Sequence, residues 1–496
     1  MALVSAGRVR RWISRTQRAH ATLGDRAGNW YFALLFVLIV GGMIHQRLLA
    51  IVWPDQQHVS RLAAAGLILA LSGALYLTLR RLGPLGISRP AASWLLTAPV
   101  SRRSLLLPGF GVALALAAVT GALGALGVAG HAIARPLGDL AGTLPLAGAL
   151  IAVALFLVAL AAQEDRRWTS WSDRIAGLLV AAGLGTLVVD SAVAAPLAPA
   201  GWPPAGVVVA VAGTLAVICL AGLALAVRRL GRTPNDSLLE SARTAGTLWD
   251  SAYAAEPSFV VDMIERRQWS RRRLRSVRLP ARVPVLVAQD LLLLRRRPGR
   301  MLWFAGSAAL PALVAAASPW LLGAVVLIGG MVAAGVTTAT LRTDTGNPWM
   351  LRMLGISSRD AVLQRSVVPV ALATVWSALA LGVLQALGHL PAGPWWLLGI
   401  ALGPVGGVAA VRKARAGFVD NGLLPLDTPM GSVATGPLLA AVSGVDVLLI
   451  GVPSLILIGQ DLPLGWSGVA TQAVLAVASW RFYLSGTTDK DKVELG

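Results

Sequence analysis

Asp446 stands inside the apolar run Ser443-Gly444-Val445-Asp446-Val447-Leu448, and Asp190 closes a second run, Leu187-Val188-Val189-Asp190. An ionised carboxylate at the centre of a membrane span costs at least about 2.5–3.5 kcal/mol on insertion scales. Such a group must face a bundle interior, a wet cavity or a cation. Arg47 and His45, in the first apolar run, are the candidate partners. The chemistry on offer is a gating ion pair or a polar step along a substrate path. A purely structural pair is the equal alternative.

Little else in the chain bears chemistry. Cys219 is the single cysteine, which excludes an internal disulfide or thiol-ligated zinc site. The five histidines, at 20, 45, 58, 131 and 389, include no pair at i,i+4, which excludes a zincin-type site. The only lysines are Lys413, Lys490 and Lys492, and none follows a Gly-x-x-x-x-Gly turn. Without that phosphate cradle the chain is expected to hold no nucleotide of its own. No catalytic residue, metal or cofactor is expected, so the chain reads as a non-enzyme.

Composition defines the elements that must position these groups. The chain is 56% hydrophobic and 13% charged, with mean hydropathy +0.70; soluble domains carry about 25% charge. Crossing a bilayer takes about 20 apolar residues. The reading is an all-α polytopic membrane protein with about twelve spans. They fall near 30–52, 62–79, 109–129, 144–163, 175–197 and 204–227, then 301–317, 319–341, 366–388, 395–411, 437–458 and 464–484. The segments do not alternate as β-barrel strands do.

The charge map gives an orientation. Of 43 Lys and Arg, only Arg61 and Arg135 fall in the loops of one side, and Arg47 lies near the outer end of the first span. Basic loops stay in the cytoplasm, so both termini are expected there. This bias also accounts for the net charge of +20 without nucleic acid. Residues 1–29 carry six arginines but no short apolar region with a small-residue cleavage site. They read as a cytoplasmic or interfacial helix rather than a signal peptide.

Six spans (30–227), a linker (228–300), six spans (301–484) and a tail (485–496) make two halves of one orientation, a parallel repeat. In the linker, one helix is predicted from about Asn235 to Tyr253 and another after Pro257. The segment Val283 to Arg300 is an apolar stripe ending in Arg295, Arg296 and Arg297, suited to the membrane interface. The arginines of 266–282 are solvated charge first, a contact for anionic lipids second and a partner surface third. Asp427 or Thr428 before Pro429 reads as a helix start.

One element recurs. Trp94-Leu95-Leu96-Thr97-Ala98-Pro99-Val100-Ser101-Arg102-Arg103 leads into Ser104 and three leucines; 256 residues later, Met350-Leu351-Arg352-Met353-Leu354-Gly355-Ile356-Ser357-Ser358-Arg359 leads into a second apolar run. Pro99 and Gly355 break the chain, and Ser101 and Ser357 are placed to cap a following short helix. The functional reading is an elbow that presents a rigid apolar face to a cytoplasmic partner. The bland reading is a plain loop with positive-inside arginines.

The first copy, between spans 2 and 3, resembles the membrane subunits of ABC-2-type exporters, and the fused pair of six-span units is similar to tetronasin-type antibiotic-export permeases of actinobacteria. That resemblance implies that both elbows dock on a separate ATPase subunit, in two copies, which carries ATP and Mg. It implies that the segments Arg8 to Arg26 and Val283 to Arg300 are connecting helices touching that ATPase. The second copy has Gly355 for the proline and Ser358 for the first arginine, which allows asymmetric docking. The implied cargo is amphiphilic or apolar. The competing readings are an ion-coupled 6+6 transporter of the major-facilitator kind and a non-transporting scaffold. Against the former, the Gly-x-x-x-Asp-Arg-x-Gly loop of that family is missing.

Overall fold

A computed structural model describes residues 60–83, 101–132, 140–163, 166–192, 205–253, 282–315, 318–346, 348–416, 426–428, 431–433 and 442–487, with single residues or short stretches among 8–38, 85–96, 263 and 439. The first expected span, with Arg47 and His45, lies almost wholly outside these residues; Tyr31, Leu34 and Leu38 are helical. So do Leu95, Pro99 and Val100 of the first elbow and nearly all of the arginine-rich stretch at 266–282. The chain divides into two compact units, Met1–Tyr253 with Phe259–Met263, and Ala254–Ser258 with Ile264–Gly496.

Unit 1 contains α1 (Arg61–Leu82), α2 (Arg102–Ala132), α3 (Leu140–Ala161), α4 (Arg166–Ala192), α5 (Ala205–Arg229) and α6 (Asn235–Tyr253). Helices α1 to α5 are each long and apolar enough to cross a membrane. α1 packs on α4, α2 on α3, and α3 on α5. The α2–α3 contact is close because it is made by glycines: a Cβ at Gly121 would lie 2.3 Å from the carbonyl oxygen of Gly148. α6 has the bounds that its periodicity and its Asn-Asp-Ser start predict. Its apolar Leu238 and Ala242 join Leu85, Ala92, Leu106, Phe110 and Leu230 in one buried cluster.

Unit 2 contains α7 (Val285–Arg295), α8 (Pro298–Ser307), α9 (Pro319–Ala334), α10 (Ala339–Gly346), α11 (Pro348–Met353), α12 (Ser358–Ala386), α13 (Trp395–Ala416), α14 (Val445–Gly459, with a 3-10 turn inside) and α15 (Trp466–Ser485). α13 is central, packing on α9, α12 and α15. Trp395, Leu398, Leu381, Leu384 and Val326 form its buried core.

Among the described residues, seven helices are long and apolar enough to cross a membrane, eight if α9 and α10 are one bent span. The differences from the expected spans have local causes. The span expected at 301–317 is α8, ten residues long, followed by 3-10-type turns and the single turn Ala312–Ala315. The span expected at 319–341 breaks after Ala334 and bends by 64°. There, Thr337, Thr338 and Thr340 donate side-chain hydrogen bonds to nearby carbonyls, competing with the helical ladder. The helix start expected near Pro429 is instead an antiparallel ladder, β1 (Leu426–Thr428) with β2 (Gly431–Val433), in register Leu426↔Val433.

Candidate coupling site

The second elbow is a helix stop followed by a helix start. α11 ends where Gly355 takes φ +68°, and the Ile356 N–H donates to the Leu351 carbonyl at 3.0 Å. This is the six-to-one bond of a Schellman stop, with glycine at the left-handed position. The accompanying apolar contact is made by Leu351 and Ile356. Two residues on, the Ser357 hydroxyl accepts from the Asp360 N–H at 3.1 Å and donates to Asp360 Oδ2 at 2.7 Å. Asp360 in the first turn also suits the positive end of the helix dipole.

The first elbow ends in the same way. Ser101 Oγ accepts from the Ser104 N–H at 3.3 Å, and α2 begins at Arg102. α12 begins at Ser358, so the two helices start at the offset at which the sequences align. Neither cap opens a short helix. Each opens a helix of spanning length, 31 residues in α2 and 29 in α12. Each serine cap therefore sits directly at the start of a helix long and apolar enough to cross a membrane.

The faces of the elbows differ from expectation. Leu351 is buried against Leu286 of α7 and Ala361 of α12, so it is not offered to a partner. The reason is the Schellman contact, which turns Leu351 inward. The exposed surface is instead Trp349, Met353, Leu354, Gly355, Ser357 and Arg359. The Arg352 side chain lies outside the described residues. In the first elbow, Trp94 is 77% exposed, Arg103 is exposed and Arg102 is half-buried, while Leu105 and Leu106 point into the core. α6 packs against the head of α2, its Leu238 and Ala242 sharing a buried cluster with Leu106 and Phe110, and its Ser241 hydroxyl donates to the Leu85 carbonyl, nine residues before Trp94, at 2.9 Å.

Beneath the second elbow lies a charged cluster. Arg365, eight residues after Ser357, is 2% exposed and faces α7. Its Nη1 donates to Asp290 Oδ1 at 2.5 Å and to the Leu286 carbonyl at 3.3 Å; its Nε donates to Asp344 Oδ2 at 2.8 Å; its Nη2 donates to Gln289 Oε1 at 2.9 Å. Thr340 adds a hydroxyl to Asp290 Oδ1 at 3.1 Å. One guanidinium thus ties α7 and α10 to the head of α12. Asp290 Oδ2 is buried without a hydrogen-bond partner. Burial pushes the Asp290 carboxyl up to about 6, against the opposing pull of Arg365.

α7 is consequently buried along part of its surface, while Val285 and Leu291 are exposed. Its Leu286, Val287, Ala288 and Asp290 are buried on the protein side. Of its terminal arginines, Arg295 is exposed, Arg296 is half-buried and Arg297 is 5% exposed. α7 stops at Arg295, and the turn into α8 swings Arg297 toward the α9–α10 break. There it lines a cavity of about 170 Å³ with Thr337, Thr340 and Thr343.

The other sequence candidates lie elsewhere. Asp446 lies in the first turn of α14, just past Gly444, whose φ of +90° separates that helix from the helical residues Leu439 and Val442. Its Oδ2 meets Arg412 Nη2 at 2.5 Å, and its Oδ1 accepts from the Gly444 and Val447 N–H groups at 2.9 and 3.0 Å. Arg47 and His45 lie outside the described residues, among which the cationic partner of Asp446 is Arg412. The pair borders a polar cavity of about 640 Å³ that also includes Arg415, Tyr483 and Thr487. Asp190, near the end of α4, accepts from the hydroxyl of Ser60, the cap of α1. Among the described residues, no group of three or more His, Cys, Asp or Glu could hold a metal ion.

A family model designated DUF6297, described as a family of unknown function, matches residues 54–422. The chain belongs to this family. The match takes in both elbows, α7 and the Arg365 cluster, so the DUF6297 region contains all of the candidate coupling site. No curated protein and no solved structure matches the chain.

Sequence reasoning missed Asp290, Asp344 and Arg365. A signal for the first was present. Gln289-Asp290 interrupts an otherwise apolar helix, and a carboxylate on such a face implies a buried partner. At the 256-residue offset, Asp290, Asp344 and Arg365 correspond to Leu34, Ser88 and Gly109. The ionic cluster therefore has no charged counterpart at those positions of the first half.

Proposed function

We propose that this chain is the transmembrane permease subunit of an ABC exporter, built from two six-span halves and driven by a separate ATPase in two copies. The single observation that carries this reading is the serine cap placed directly at the start of a helix of spanning length, at Ser101–Arg102 and Ser357–Ser358. A push on a capped elbow is delivered along a rod of spanning length rather than lost in a loop. In the second half, Arg365 makes α7, α10 and α12 move together. In the first, α6 packs against the head of α2.

ATP and Mg would be bound by the partner, in the cytoplasm of a bacterial cell where both termini also lie. The cargo would be amphiphilic or apolar, leaving from the cytoplasm or the inner leaflet. The unequal bracing of the heads of α2 and α12 supports unequal docking of the two ATPase copies. A second reading, ion-coupled transport, draws on the surplus carboxylate of the Asp290–Arg365–Asp344 cluster, which provides a proton site.

The test is co-purification with the ATPases encoded beside this chain, followed by charge reversal at Arg102 with Arg103, and at Arg359. Loss of the complex and of ATP-dependent efflux supports the coupling reading. Retention of both, or efflux that follows a proton gradient without any ATPase, would overturn it.

A further inference from the structure

Unit 1 holds a groove between α3 and α5 with a cavity of about 280 Å³. Leu157, Val158, Ile218 and Leu225 wall it, Gly222 leaves room at its floor, and Gln163 and Arg229 close one end. Both helices are among those able to cross a membrane. From Ile218 to Arg229 the helical rise is about 16 Å, about half of a 30 Å hydrocarbon core. The groove therefore has the depth of one leaflet, apolar along its length and basic at its end. Arg232, three residues after Arg229 and just beyond the end of α5, is also exposed; it does not itself line the cavity.

We propose that this groove binds one anionic phospholipid, an acyl chain lying against Gly222 and the phosphate against Arg229 and Arg232. Depth and charge both select this occupant. An apolar cargo in transit would need no cation at the groove's end, and a zwitterionic lipid would gain little from two. The proposal is independent of how transport is driven.

Native mass spectrometry of the purified full chain, given equal phosphatidylglycerol and phosphatidylcholine of matched acyl chains, tests it. Retention of phosphatidylglycerol over phosphatidylcholine is expected. Arg229→Gln with Arg232→Gln should lower that preference about fivefold per arginine while keeping basal retention. Gly222→Phe should remove retention of both lipids, since even a Cβ there comes within 3.0 Å of Leu157 Cδ1. If Gly222→Phe fails to fold, a photoreactive-acyl phosphatidylglycerol on the unsubstituted chain should label residues 154–161 or 218–226. Equal retention of the two lipids, unchanged retention in folded Gly222→Phe, labelling elsewhere, or a bound mass that is not a phospholipid would each overturn the proposal.

Discussion

Asp290 and Arg365, 75 residues apart in sequence, meet at 2.5 Å with side chains 1% and 2% exposed. Neither charge can return to water without moving a helix. Removing one partner leaves the other buried and uncompensated, at a cost of about 3–5 kcal/mol. Arg365→Met is therefore expected to lower the melting temperature sharply in detergent. Arg365→Met combined with Asp290→Leu should recover most of the loss. Arg365→Lys should not rescue, because a lysine cannot reach Asp290, Asp344 and Gln289 together.

The same carboxyl predicts a pH dependence. The Asp290 carboxyl is raised from its ordinary 3.8 to about 6, chiefly by burial. Between those values the folded state holds more protons than the unfolded state, so stability falls as pH rises through the window. The contribution is fully present below about 4, lost above about 6, and amounts to about 3 kcal/mol at most. Melting curves of the natural chain and Asp290→Asn from pH 4 to 7 should diverge with this sign. Parallel curves would show that Asp290 does not titrate there.

Two glycines separate backbone strain from packing. Gly355 has φ +68° and open space around an added Cβ, so Gly355→Ala should cost only the left-handed penalty, about 1–2 kcal/mol, and Gly355→Asn less. Gly83 has φ +84° and an added Cβ would lie 2.4 Å from the Cβ of Ser241. Gly83→Ala should therefore also lift α6 from the end of α1. Limited proteolysis between residues 230 and 260 would read this, with Gly83→Ala cut faster and Gly355→Ala unchanged.

Asp446 and Arg412 are 33% and 45% exposed, so water screens their attraction. Asp446→Asn or Arg412→Gln should cost at most about 1 kcal/mol and shift melting by about 4 °C or less. A fall as large as that of Arg365→Met would mean the pair is structural. A change in efflux with melting preserved would place it on the cargo path, beside its 640 Å³ cavity.

Serine caps were legible in the sequence because a cap is a local choice: a short polar side chain bonding an N–H two or three residues on. The start of α6 at Asn235 was legible for the same reason. The burial of Leu351 and Arg297 was not legible because composition shows that a residue is apolar or basic, not which way a stop or a turn aims it. The contact of Asp446 with Arg412 was not legible because Arg412 lies near the end of another helix, outside any local window.

By itself the sequence determined what sums over a window of about 20 residues: that the chain is built of long apolar helices, several of them able to cross a membrane, and where its serine caps fall. Transfer free energy and capping act locally, so they can be read locally. Only the tertiary structure decided that α7 buries Leu286, Val287, Ala288 and Asp290, that α9 and α10 break at Gly335, and that Arg365 binds Asp290 and Asp344. A buried charge is tolerable only with a partner at hydrogen-bond distance. Which distant residue supplies that partner depends on how the helices pack.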